Sequence, residues 1–143
     1  TQEANKTHLS WSWKVAESSV PPTALNLSSG DDRIIGIYVF FSKKPVKRID
    51  KDILRNGNYI GYLWGSQHAQ GASVKSVDQQ GRFFILRSHD TAHGSWHDEQ
   101  LTFRKDFRQA FGYDGYPAAI AIAADTDDTK TNTIAFVKDV MLY

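Results

Sequence analysis

The chain has 143 residues, 41% hydrophobic and 23% charged, proportions that fit one globular domain able to bury a full core without disulfide or metal staples. It has no cysteine, which excludes a disulfide framework, a zinc–thiolate centre and a thiol nucleophile. Seventeen basic against sixteen acidic residues leave a formal charge of +1, too balanced for the footprint of a nucleic-acid binder, and no apolar run reaches the roughly eighteen residues of a membrane span.

No signal-peptide pattern opens the chain, and Thr1 in the first position reads as a processed, trimmed or recombinant start. Aspartate far outnumbers glutamate, and glycine, serine and threonine are frequent, so the inventory favours turns over helix interiors and the expectation is a β protein. Residues 8–15 (HLSWSWKV) alternate strictly, with Leu9, Trp11, Trp13 and Val15 on one face, and predict a half-buried strand. Residues 16–32 carry Pro21, Pro22 and the Ser28-Ser29-Gly30-Asp31-Asp32 cluster, the marks of a long loop ending in a tight turn. Residues 33–41 (RIIGIYVFF) are β-branched or aromatic on both faces and predict a central strand.

Residues 43–58 are basic, contain Pro45 and end in Asn56-Gly57-Asn58, a solvated excursion with at most one helical turn around 49–54. Residues 59–64 (YIGYLW) again predict a strand that is apolar front and back. Residues 74–77 and 82–87 flank Asp78-Gln79-Gln80-Gly81 at the spacing of a hairpin. A further strand is expected over residues 96–103. In residues 103–111 (FRKDFRQAF), Phe103, Phe107 and Phe111 recur every four residues between Thr102 and the stop signal Gly112, which predicts a short helix capped by Thr102. Residues 118–124 (AAIAIAA) predict a buried small-residue strand, and residues 133–143 a closing strand bulged near Lys138-Asp139. Seven or eight short strands and one helix predict an all-β fold, an antiparallel β-sandwich of jelly-roll type, in a single domain over residues 1–143.

A sandwich strand shows one face to the core and one outward, so the second apolar face of residues 33–41 and 59–64 is where a ligand is sought. With Ile35, Ile37, Val39 and Phe41 inward, Tyr38 and Phe40 point out, and Tyr62 and Trp64 are expected to join them as a sugar-stacking platform, with Arg33 as a hydroxyl or carboxylate partner and His68 in the following loop. The competing reading covers this face with the 43–58 excursion or with further chain. Asp125, Asp127 and Asp128, aided by Asp31 and Asp32, supply hard oxygen ligands suited to calcium, against a turn that caps its own amides; no other cofactor is expected. His89, His93 and His97 are spaced by four, but Gly94 and Ser95 argue for a polar loop over a metal-binding helix. For an enzyme, Glu99 and Asp106 are available carboxylates for hydrolysis, and Tyr62, His68 and Arg104 a set for proton abstraction in a polysaccharide lyase, with no diagnostic catalytic motif around them.

The ordered set Trp11-Ser12-Trp13-Lys14-Val15, Asp31-Asp32-Arg33, Tyr38-Val39-Phe40, Tyr62-Leu63-Trp64, Trp96, residues 104–112 and Asp125-Thr126-Asp127-Asp128-Thr129 resembles a bacterial family catalogued as a domain of unknown function. The resemblance spans residues 8–143. It implies a jelly-roll sandwich like galactose-binding domains and export to the periplasm or beyond, makes the two Asp-rich turns signature positions and places His89, His93 and His97 in a variable loop. It also implies further sheet before the WSWKV strand, so the chain is expected to be a trimmed portion or to be completed by another segment, with an open edge prone to self-association. The leading functional expectation is a non-catalytic carbohydrate-binding or cell-envelope module. Its rivals are a polysaccharide-modifying enzyme and an interaction module whose aromatic face docks on a partner chain.

Overall fold

A computed structural model describes residues 2–28 and 30–143, so Thr1 and the Ser29 position of the expected turn lie outside the described residues. Eight strands follow one another: β1 (Leu9–Ser18), β2 (Arg33–Ser42), β3 (Tyr59–Trp64), β4 (Ser73–Lys75), β5 (Gly81–Arg87), β6 (His97–Leu101), β7 (Tyr116–Asp125) and β8 (Thr133–Leu142). Helix α1 (Lys51–Asn56) falls between β2 and β3, and helix α2 (Phe103–Phe111) between β6 and β7. The strands form a three-stranded sheet in the order β6-β1-β8 and a five-stranded sheet in the order β4-β5-β3-β2-β7. The fold is therefore the all-β sandwich with one short helix near residues 103–111 that the sequence predicts. One neighbour pair departs from antiparallel pairing: β3 and β5 run parallel, because the chain crosses back through residues 65–80 and forms the β4–β5 hairpin before rejoining β3.

The core lies between the sheets. Trp11, Trp13 and Val15 of β1 face Ile35, Ile37, Val39, Tyr62 and Trp64 of β2 and β3, while Phe103 and Phe107 of α2 close one end, with Phe107 stacked 3.8 Å from Phe41. Alternation selects these residues: each strand contributes every second side chain. Gly112, at φ 78°, ends α2 in the left-handed conformation that a glycine adopts without strain. Thr102 precedes α2 but its hydroxyl makes no capping bond, contrary to the sequence expectation. The bulge expected near Lys138-Asp139 is present: Ser10 pairs with Met141 and Ser12 with Lys138, so residues 139 and 140 oppose Trp11 alone, and Asp139 takes φ 55°.

The outer face of the five-stranded sheet carries a second apolar cluster of Leu25, Tyr38, Leu63, Phe83 and Ile85. Tyr38 lies flat over glycine. A Cβ on Gly36 would meet the Tyr38 hydroxyl at 2.7 Å, and one on Gly61 would meet the Tyr38 ring at 2.9 Å. Leu25, from the loop between β1 and β2, contributes to this cover, and Gln67 donates to the carbonyl of Thr23 in the same loop. The 43–58 excursion contributes no residue to this cluster. No helix among the described residues is long and apolar enough to cross a membrane.

Candidate functional site

The expected aromatic platform is divided by strand register. Ile37 pairs with Tyr62 and Ile35 with Trp64, and residues opposite each other across a ladder share a face. Tyr62 and Trp64 therefore point with the isoleucines into the core, where both are fully buried. Tyr62 packs on Trp11 and donates from its hydroxyl to Asp106 Oδ2 at 2.6 Å, and Trp64 sits edge-on to Trp13. Burial raises the pKa of both the Tyr62 hydroxyl and the Asp106 carboxyl. Tyr38 is on the opposite face, beside Gly61.

Arg33 and Tyr38 do come together. The guanidinium lies 5.7 Å from the Tyr38 ring centre and 5.6 Å from that of Phe83. Its charge is already engaged: Nη2 donates to Asp125 Oδ2 at 3.0 Å, and Nη1 donates to the Asp31 carbonyl at 3.0 Å. Burial drives the Tyr38 phenol far above its ordinary pKa, so it stays protonated. A cavity of about 250 Å³ beside it is lined by Asp31, Arg33, Tyr59, Asp78 and Phe83, among others. His68 is elsewhere, in the loop after β3, its amide bonded to Ser66 Oγ.

The acidic turns are organised by Asp32 rather than by the three residues expected to hold calcium. Asp32 is buried and accepts from the amides of Asp128 (3.3 Å) and Thr129 (2.7 Å) and from the Thr129 hydroxyl. Burial opposes its charge, but these donors and neighbouring Arg33 outweigh burial and lower its pKa. Oxygens of Asp32, Asp127 and Asp128 lie within 4.8 Å of one another, while Asp125 faces Arg33. Burial, and then contact with Asp127, raise the Asp125 pKa. The arrangement makes a turn whose amides are capped by a carboxylate.

The candidate enzymatic residues are separated by other duties. Glu99 accepts from Trp13 Nε1 at 2.9 Å and from Arg87 Nε at 2.7 Å, Asp106 is held by Tyr62, and Arg104 donates to the Ala4 carbonyl. Of the three spaced histidines, His89 bonds the Val20 carbonyl, His93 is exposed and His97 packs on Trp64.

The face that the sequence reading left as merely polar is the better site. Across the outer side of β6-β1-β8, one row holds Trp96, Lys14 and Phe136; the next Asp98, Ser12 and Lys138; the next Gln100, Ser10 and Met141. Trp96 and Phe136 are 40% and 49% exposed, large for aromatic rings on a folded surface. Lys138 Nζ is 4.3 Å from the Trp96 ring centre, and Lys14 Nζ is 5.1 Å from Trp96 and 5.3 Å from Phe136. Ser12 donates to Asp98 Oδ1 at 2.5 Å. A groove of about 670 Å³ runs over the polar rows towards Tyr143, which stacks on His8 at 5.4 Å. Strand geometry makes the distance from the Lys14 row to His8 about 20 Å.

The sequence profile of the family described as Protein of unknown function (DUF3047) matches residues 1–141. The chain belongs to that family. No curated protein and no solved structure matches it. Membership settles the family to which the ordered motifs belong and leaves activity to be argued from the site.

The sequence contained one usable sign of the groove. In residues 133–142 the inward positions are Ala135 and Val137, so Phe136 stands at outward parity beside Lys138, across the strand from Lys14. An aromatic residue at a solvent position, facing the polar face of β1, is the feature that Tyr62 and Trp64 drew attention away from.

Proposed function

We propose that the protein is a non-catalytic glycan-binding module, acting in the periplasm or outside the cell, whose ligand lies along the outer face of the three-stranded sheet. The observation that carries this reading is the exposed ring pair Trp96 and Phe136 at one end of a polar groove. Pyranose rings present C–H faces that pack on aromatic faces, while their hydroxyls need both donors and acceptors; Ser10, Ser12, Asp98 and Gln100 offer both along the groove. Lys14 and Lys138 stand over the rings with no ion-pair partner among the described residues, so a sugar bearing a carboxylate is favoured over a neutral one. The sheet supplies a rigid base, which limits the ordering cost of binding.

Calorimetric titration with uronate-rich and neutral oligosaccharides tests the proposal. Saturable binding of the acidic series, weakened by salt and by Trp96→Ala, is the expected result. Equal or absent heats across both series in the wild-type protein contradict it.

A further inference from the structure

We infer that a second copy of this chain pairs with the free edge of β7, joining two five-stranded sheets across a two-fold axis. Among the described residues β7 has one sheet neighbour, β2, and its other edge presents unpaired backbone amides and carbonyls. Residues 2–5 pack against β7 towards its Tyr116 end, where Arg104 bonds the Ala4 carbonyl, but among the described residues no backbone hydrogen bond joins them to the strand. Residues 118–124 contain no charge and no proline, the devices by which exposed strands usually avoid association.

The sequence of this stretch is its own reverse. Ala118-Ala119-Ile120-Ala121-Ile122-Ala123-Ala124 reads identically in both directions about Ala121. Antiparallel pairing of two copies with the axis at Ala121 therefore places Ile120 against Ile122 and alanine against alanine, twice over, as an isologous contact requires. The isoleucines already face inward: Ile120 pairs with Val39 and Ile122 with Ile37, both fully buried core residues. Yet Ile122 is 51% exposed, an inward side chain with no protein over its outer side. An apolar cavity of about 320 Å³, lined by Pro117, Ala118, Ala119, Ile120 and Leu142, continues the opening between the sheets.

The strand ends are complementary in charge. Arg104 lies over the Tyr116 ring at one end, 5.3 Å from its centre, and Asp125, Asp127 and Asp128 lie at the other. Reversal about Ala121 brings the acidic end of each copy to the basic end of its partner. A parallel arrangement would set like ends together and lose the palindrome.

Sedimentation equilibrium across a wide concentration range tests association, and the cysteine-free background tests register. The wild-type protein should reach twice the monomer mass. Ile122→Lys should raise the dimer dissociation constant at least tenfold while leaving the melting curve of the dilute monomer in place. Ala121→Cys should cross-link to a covalent dimer on mild oxidation, because residue 121 meets itself at the axis, whereas Ala119→Cys should not, because residue 119 meets residue 123. A wild-type monomer at every concentration overturns the inference. So does a dimer that withstands Ile122→Lys, or one in which Ala121→Cys cross-links no better than Ala119→Cys.

Discussion

Replacing Trp64 by alanine separates two places for the same ring, a stacking platform on the surface and the wall of the core. The structure buries Trp64 completely, 5.6 Å from Trp13 and 5.1 Å from His97 between ring centres. Truncating a buried tryptophan costs about 3–5 kcal/mol. The lower end applies here, because Trp64 Nε1 has no hydrogen-bond partner among the described residues and its removal ends that desolvation cost. With about 2.1 cal/mol/K of unfolding entropy per residue, a domain of this length loses roughly 3 °C in Tm per kcal/mol, so Trp64→Ala should melt about 10 °C below wild type. Trp96→Ala is the control. It removes an exposed ring and its ammonium contacts, worth about 1 kcal/mol or less. Calorimetric melting of both variants beside wild type is the assay. A Trp64→Ala melting point within a degree or two of wild type, or a larger loss in Trp96→Ala, would refute the assignment of faces.

Asp32→Ala should destabilise by about 2 kcal/mol in urea unfolding, since two amides and a hydroxyl lose a charged acceptor, and Asp32→Asn should recover part of that loss. The Asp32 pKa is lower folded than unfolded, so its stabilisation is complete above its ordinary value of 3.8 and is lost as pH falls through the folded value; Asp32→Asn should flatten the acid limb of the stability profile. Added calcium should leave the melting temperature within about 1 °C of its value in chelator, because protein donors already occupy Asp32; a rise of several degrees would instead place a cation at the 125–129 turn. Gly61→Ala should cost about 1–3 kcal/mol by driving a methyl into the Tyr38 and Phe83 rings, with no comparable loss for Gly94→Ser beyond its backbone strain, since no atom lies within 4 Å of that position.

The sequence was most legible where periodicity was local. Strict alternation placed Leu9, Trp11, Trp13 and Val15 on the core side of β1, and the four-residue recurrence of Phe103, Phe107 and Phe111 with Gly112 delimited α2. Parity between strands was not legible. Nothing within residues 33–41 or 59–64 states which partner each residue meets, and the pairing of Ile37 with Tyr62 alone decides that Tyr62 is a core residue. The glycines held the missing clue: Gly36 and Gly61 leave the outer face hollow enough for Tyr38 to lie flat and be covered. Arg33 was expected to meet a ligand beside Tyr38, but its guanidinium is turned to Asp31, two residues before it, and to Asp125, which local sequence gives no means of pairing with it. The groove was missed because its residues come from three distant strands, and only the register of β6-β1-β8 aligns Trp96, Lys14 and Phe136 in one row.

Tryptophan emission offers the most direct test of the ligand face, because Trp11, Trp13 and Trp64 are buried and Trp96 alone is substantially exposed. Saturating uronate oligosaccharide should shield wild-type emission from a soluble quencher, and Trp96→Ala should weaken calorimetric affinity roughly tenfold, equivalent to about 1.4 kcal/mol. Binding that leaves Trp96 fully open to quencher, with affinity unchanged in Trp96→Ala, would put the ligand on another surface.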